Sequence, residues 1–371
     1  AALRTHSAAG GWATTFQLDR ATRPGCVSRN ATLLGLGAPC ARERAPDQAN
    51  ATQLVMSPTV QRAWCWIKQL APWILAAFVL TLVARNVQTV DWPMVWHELR
   101  RLSVGHLAAA AGLALTSYGV YASFDLVGRR LTAHHLSVTR TLSTAAISYA
   151  FNLNVGTLIG SIAMRLRLYS RWGLSTSTVM QIVAHGIVTN WLGYLWIAGA
   201  VLICAPPRLP ESWMLTDTGL RIAGVVMVLA ALIYVTLCLS HRQRELTFRG
   251  YTLRFPSARL GLVQAAAGGA NWLLIGAIVW TLLGARIDYP SVLGVMLLAA
   301  VVGIVTHVPG NLGVLESLVV LSLGARLPAP ELLAAVLAYR ITYFFLPLAL
   351  ALTAYGISEA AALRTANATR A

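Results

Sequence analysis

Two apolar stretches in this chain are broken by residues that a lipid-facing helix cannot carry. They constrain the fold more than any other feature. One reads Phe151-Asn152-Leu153-Asn154-Val155-Gly156-Thr157-Leu158-Ile159-Gly160. The other reads Val305-Thr306-His307-Val308-Pro309-Gly310-Asn311-Leu312-Gly313-Val314-Leu315-Glu316. Unwound backbone facing lipid leaves its N–H and C=O groups unpaired, at a cost of several kcal/mol each. Such segments survive only where they are buried in protein or line a wet cavity. Two of them in corresponding halves of a helical membrane protein point to a binding or passage site.

The membrane reading rests on composition. The chain is 57% hydrophobic and 11% charged, with a mean hydropathy of +0.62. Soluble domains carry about 25% charged residues. The net charge is +16, and every cation but Lys68 is arginine. A basic balance can mark a nucleic-acid binder, but here the charges sit between apolar runs, as the positive-inside rule expects. Anionic lipid, not nucleic acid, is therefore the expected counter-anion. Cys26, Cys40, Cys65, Cys204 and Cys238 are scattered without a C-x-x-C pair, which argues against a disulfide framework and a metal site. No cofactor is expected. Cys238 reads as a small apolar filler.

Residues 1–55 hold no long apolar run and are expected to be a disordered leader or a misassigned start. Met56 opens a stretch resembling a natural bacterial inner-membrane N-terminus. An organelle targeting peptide is the alternative, against which Asp19, Glu43 and Asp47 count. Residues 56–358 form the helical transmembrane domain, and 359–371 a short cytoplasmic tail.

The expected fold is all-α and polytopic, with about six full spans plus two broken or re-entrant segments. Apolar runs long enough to cross a bilayer lie near 70–87, 107–127, 177–204, 220–240, 260–284 and 333–355. The breaks fall in 141–163 and 289–323. Loop 241–259 carries Arg242, Arg244, Arg249, Arg254 and Arg259 against Glu245, so it belongs on the cytoplasmic side. Loop 205–219, with Arg208 against Glu211 and Asp217, belongs outside. The stretches flanking the first break carry Arg129, Arg130 and Arg140 on one side and Arg165, Arg167 and Arg171 on the other, with no acid. Both flanks then lie inside, and 141–163 is a re-entrant hairpin. Counting onward, 289–323 enters from outside, which gives an inverted-repeat layout. Both termini fall on the cytoplasmic side of a bacterial inner membrane.

The run from Asn154 to Tyr169, followed by Trp172-Gly173-Leu174-Ser175, resembles the first signature of the lysylphosphatidylglycerol synthase transmembrane-region family. Pro309-Gly310-Asn311-Leu312-Gly313-Val314-Leu315-Glu316 resembles its second. Tyr339-Arg340-Ile341-Thr342-Tyr343-Phe344 with Pro347 resembles its last helix. The resemblance covers roughly residues 60–355 and is nearest the YbhN-type branch of inner-membrane proteins. It implies the flippase-like, lipid-handling half of the family and not the aminoacyl-transferase half, for which no room follows the last span. Asn311 stands where a second glycine is expected; Asn tolerates left-handed backbone, so the turn is expected to hold.

Several residues then stand out. Arg165 either snorkels at the cytoplasmic interface or clamps an anionic headgroup with its planar fork. Glu316, if buried, needs a partner or a proton, and Arg340 is the best candidate partner. Pro309, Gly310 and Gly313 shape a turn whose amides could also form an anion nest. Asn152 and Asn154 flank Gly156 and offer amides to freed backbone or to a headgroup. His307 and His185 are either packing residues or proton relays. Asp125 is expected to cap its helix or pair with Arg129 at i+4. His134 and His135 read as a solvated pair, and the tryptophans, mostly near span ends, as an aromatic belt.

The leading function is lipid transport of flippase type, with an anionic phospholipid headgroup held between the two broken segments. One alternative is a non-transporting accessory that binds a partner protein of lipid synthesis. A membrane lipid-modifying enzyme is the other, but the sequence shows no H-E-x-x-H, no paired acidic metal motif and no Ser/His/Asp grouping. Nor is there a G-x-x-x-x-G-K-[ST] loop, so uphill transport would need an ion gradient or a partner.

Overall fold

The computed structural model describes residues 91–206, 216–239, 245–248, 251–254, 256–306 and 308–368. The leader, the apolar run at 70–87, His307 and much of the two long loops lie outside the described residues. Within them the protein is helical apart from one short antiparallel pair in the basic loop. There β1 (Glu245–Phe248) runs against β2 (Tyr251–Arg254), with Glu245 opposite Arg254.

The helices start where side chains can satisfy their first amides. In α1 (Trp92–Arg101) the Asp91 carboxylate accepts from the Met94 amide at 3.2 Å. Ser103 does the same for α2 (Val104–Ala122), which continues after Ser123 as α3 (Phe124–Thr132). Ser137 caps α4 (Val138–Val155) and Ser175 caps α6 (Thr176–Cys204). Between these last two lies α5 (Met164–Arg171). The chain continues through α7 (Asp217–Leu239), α8 (Ala258–Leu282), α9 (Tyr289–Thr306), α10 (Val314–Leu323), α11 (Ala329–Arg340) and α12 (Leu346–Ala368). Among the described residues six helical stretches are long and apolar enough to cross a membrane: 104–132, α6, α7, α8, α9 and 329–360. The chain is a polytopic helical membrane protein. Where α6 crosses α8 the backbones of Gly193 and Gly268 touch, and a Cβ on either would collide with the other helix.

Both broken segments fold back on themselves. In the first, α4 ends at Gly156 (φ 98, ψ 169), a conformation closed to residues with a side chain. A π-type turn, Thr157–Ala163, leads into α5. Gly160 lies so close to the Asn152 backbone that a Cβ would not fit. At the open end the Tyr169 hydroxyl reaches the Thr141 carbonyl at 3.4 Å. In the second, α9 and α10 are joined by a turn in which Gly310 (φ 62), Asn311 (φ 54) and Gly313 (φ 77) are all left-handed. At its open end Arg326 forms an ion pair with Asp288.

The hairpins enter from opposite ends, and α2–α3 supplies the ruler. His106 lies beside Gly284, level with the mouth of the second hairpin. Asp125 contacts Arg165 and Tyr169, at the mouth of the first. Nineteen residues separate these levels, roughly 28 Å at 1.5 Å per residue, close to the thickness of a bilayer's hydrocarbon core. The tips meet between them: a Cβ on Gly310 would lie 3.7 Å from the Leu153 carbonyl oxygen.

A third break lies beside the tips. The last span is interrupted between α11 and α12 by a π-type turn, Ile341–Phe345. Pro347 explains it: with no N–H, it leaves the Tyr343 carbonyl without an i+4 donor. The Tyr118 hydroxyl fills that position at 3.1 Å.

Candidate functional site

Three polar knots occupy the interior where the hairpins meet the bundle. The first is built on Arg165. α5 follows the π-type turn, so its first residues point back into the bundle rather than toward the surface. Arg165 is 2% exposed, which overturns the interfacial reading. Its Nε donates to Asp125 Oδ2 at 3.0 Å and its Nη2 to Asp125 Oδ1 at 3.0 Å. Its Nη1 donates to the Ser161 hydroxyl at 2.7 Å and to the Ser161 carbonyl at 3.3 Å. The Tyr169 hydroxyl donates to Asp125 Oδ2 at 2.8 Å, and the Tyr121 ring lies 5.9 Å beneath the guanidinium. Asp125 is fully buried. It does not pair with Arg129, whose Nε donates instead to the Leu136 carbonyl at 2.7 Å. At i+4 on α3, Arg129 reaches the loop beyond the end of its own helix, while Asp125 faces inward. The headgroup fork expected of Arg165 is closed here by protein groups.

The second knot is the tip of the second hairpin. Arg340 Nε donates to Glu316 Oε1 at 2.5 Å and Nη2 to Oε2 at 3.0 Å. Arg340 Nη1 and Nη2 also donate to the carbonyls of Gly310 (2.7 Å) and Asn311 (2.8 Å). Glu316 Oε2 accepts from the Gly313 amide at 2.8 Å, which caps α10. The turn 309–313 thus presents carbonyls to a cation. Its Asn311 and Gly313 amides are already committed, to the Val308 carbonyl and to Glu316. Asn311 keeps the left-handed backbone expected of it. Its Nδ2 donates to the Ala299 carbonyl at 3.1 Å, and the side chain fills the space a Cβ on Gly303 would need.

The third knot links the tips to the broken last span. Ser117 shares hydrogen bonds with Asn271 Oδ1 (2.8 Å) and the Tyr343 hydroxyl (2.7 Å), and Tyr343 with the Tyr149 hydroxyl (2.9 Å). Asn154 Nδ2 donates to the Ala150 carbonyl at 2.8 Å and to the Phe344 carbonyl, loosened by the π-type turn, at 3.2 Å. That is the backbone-satisfying role offered to Asn154. Asn152 is different: its Oδ1 is buried with no protein partner. His185 is 3% exposed on α6, with Nδ1 unpartnered, and Gly186 beside it faces Asp125. His134 is half-buried rather than solvated, its Nδ1 accepting from the Leu136 amide at 3.3 Å. Among the described residues no three His, Cys, Asp or Glu side chains converge as a metal site would require.

A sequence model of the lysylphosphatidylglycerol synthase transmembrane region matches residues 69–351, which span both hairpins and all three knots. The chain belongs to that family. It is 37% identical over 307 residues to the inner membrane protein YbhN of Escherichia coli (strain K12), covering 82% of this chain and 96% of that protein. It is 29% identical to the uncharacterized protein slr0712 of Synechocystis sp. (strain ATCC 27184 / PCC 6803 / Kazusa), covering 80% and 94%. A phosphatidylglycerol lysyltransferase of Staphylococcus haemolyticus (strain JCSC1435) is 29% identical over 113 residues, 28% of this chain and 14% of that one. In this member of the family, Ser161, Ser117, Asn271, Tyr149 and Tyr343 join the residues singled out from the sequence, and Asp125 enters with a different partner from the one expected. A polar residue at i, i+4 inside an apolar run was the available signal for Ser161 with Arg165. The partnership of Asp125 across 40 residues carries no local sequence mark.

Proposed function

We propose that this protein is a lipid transporter of flippase type in the cytoplasmic membrane. In this reading an anionic phospholipid headgroup crosses where the hairpin tips meet the broken last span. The observation that carries it is that two hairpins, opening at opposite ends of the bundle, touch at their unwound tips in its interior. Supporting it, the end bearing Arg129, Arg130, Arg140, Arg167 and Arg171 is strongly basic, whereas Asp288 and Glu331 offset Arg326 and Arg286 at the other. On the positive-inside rule the basic end is cytoplasmic, and α12 reaches it, with Glu359 on Arg167 and Arg171. One relative is named as acting on phosphatidylglycerol, which makes that lipid the first to test. Both buried arginines hold carboxylates in the two-pronged geometry that also suits a phosphate. The headgroup would take Arg165 by displacing Asp125, and Glu316 with Arg340 would position the second tip.

The closure of both arginines by protein groups supports a second reading, in which the knots are structural clasps and the protein is a non-transporting accessory of lipid metabolism. Scrambling in proteoliposomes separates the two. Tail-labelled phosphatidylglycerol and a zwitterionic lipid are mixed with an impermeant quencher, with and without a proton gradient. The transport reading expects protein-dependent exposure of the inner leaflet, lost in Arg165→Ala and Glu316→Gln protein that remains folded. Exposure no greater than in empty liposomes under all these conditions would overturn it in favour of the accessory reading.

A further inference from the structure

Many hydroxyls inside the described helices bond back to a carbonyl three or four residues earlier, the usual way a Ser or Thr settles in an apolar helix. Thr116, Thr132, Thr141, Thr189 and Thr342 all do so, at 2.7–3.1 Å. Thr144 and Ser148 on α4 do not. Both are fully buried, and neither hydroxyl makes a hydrogen bond to the protein. For Thr144 the carbonyl four residues back, that of Arg140, accepts instead from Ser143. Asn152, one further turn along, has its Oδ1 buried in the same unpartnered state.

These three residues sit at i, i+4 and i+8, so they form one stripe about 12 Å long on one face of α4. The two limbs of the hairpin meet near both ends of this stripe: Gly160 abuts the Asn152 backbone, and Tyr169 meets the Thr141 carbonyl. The stripe begins one turn from Thr141, and so beside the Asp125–Arg165 knot that Tyr169 joins. It ends one turn before Gly156, at the tip. A buried oxygen left bare in a membrane interior is costly, and three in register on one helix face call for a ligand between the limbs.

The spacing identifies the ligand class. Side chains at i and i+4 stand about 5–6 Å apart. One water accepting or donating at about 2.8 Å to each neighbour spans that gap. A single cation would need its oxygens closer together than one helix face can bring them. We infer that the first hairpin holds a file of water between its limbs, running along Thr144, Ser148 and Asn152 from the Asp125–Arg165 knot toward the tips. The file makes α4 and α5 the wet hairpin, and the inference does not depend on what the protein transports.

The test replaces Cys26, Cys40, Cys65, Cys204 and Cys238, then introduces Ser148→Cys or Thr189→Cys into the full chain in liposomes. Thr189 is equally buried, but its hydroxyl is bonded to the His185 carbonyl and to Gln264. The probe is silver ion, which captures the thiolate that forms where water reaches, read as protection from maleimide after unfolding. Ser148→Cys should be protected about tenfold faster than Thr189→Cys, because only a hydrated thiol ionises readily. Equal rates, both slow or both fast, overturn the file. If Ser148→Cys does not fold, Thr144→Cys takes its place. Thermal unfolding of Ser148→Ala and Thr144→Val gives an independent reading. A hydroxyl that anchors water loses stability on removal, whereas a dry, bare one gains it, so a raised Tm in both variants also overturns the inference.

Discussion

Arg165 and Asp125 face each other through two hydrogen bonds of 3.0 Å, although 40 residues separate them, and neither side chain is exposed. Removing one partner leaves an uncompensated charge in the interior. Arg165→Ala and Asp125→Ala are each expected to cost about 3–5 kcal/mol. Replacing both with apolar residues of similar size, Arg165→Met with Asp125→Leu, should recover most of that loss. Denaturant titration of the three variants in one detergent checks this. A double variant no more stable than the singles would show that the pair does more than neutralise itself.

Arg340 serves four acceptors on three different residues at once. A lysine supplies a point charge without the fork, so Arg340→Lys should keep the contact with Glu316 and lose the two turn carbonyls. The expected loss is about 2–4 kcal/mol, from hydrogen bonds to a charged group. Hydrogen exchange should report it as faster opening confined to residues 308–316. Uniform exchange across the chain would contradict the local role.

Gly303 and Asn311 share one space. Gly303→Ala is expected to destabilise by about 1–3 kcal/mol through overpacking. Asn311→Gly suits the left-handed backbone at that position and vacates the space. In combination it should restore much of what Gly303→Ala loses, and a double-mutant cycle on thermal unfolding measures the coupling.

Asp288 lies in the loop before α9. A hydrogen bond from Ser291, and then one from Arg326, hold its carboxyl below the usual carboxylate range. A depressed acid stabilises the fold above its unfolded value, near 3.9, and that stability is lost as pH falls through the depressed value. Because the group is largely exposed the effect is small. The acid limb of the stability curve should be shallower for Asp288→Asn than for the parent, with the two curves parallel above pH about 6. Identical acid limbs would remove Asp288 from the pH response.

Much of the fold was legible because the bilayer is a strict solvent. It demands long apolar helices and punishes unwound backbone, so the spans and both breaks are written as runs and interruptions. Arg340 and Glu316 could be matched because each sits in an apolar context with little else to pair with. What stayed hidden was tertiary. Asp125 has a nearer arginine at i+4, and only the way α3 faces the returning limb decides for Arg165. Pro347 was visible, but the turn it loosens depends on Tyr118 and Asn154 arriving from other helices.

Each hairpin is clasped by its neighbour in the chain. The first takes Asp125 from the helix just before it, and the second takes Arg340 from the helix just after. Each clasp is therefore internal to one half of the molecule. Across the seam the described tip contacts are the Asn154 bond to Phe344 and the touch of Gly310 on Leu153. A hinge that parts the tips breaks only neutral hydrogen bonds there, those of Asn154 to Phe344 and of Tyr149, Ser117 and Tyr118 to Tyr343, and leaves the Asp125–Arg165 and Glu316–Arg340 pairs whole. Parting the molecule along that line would by itself strip neither buried pair of its counter-charge.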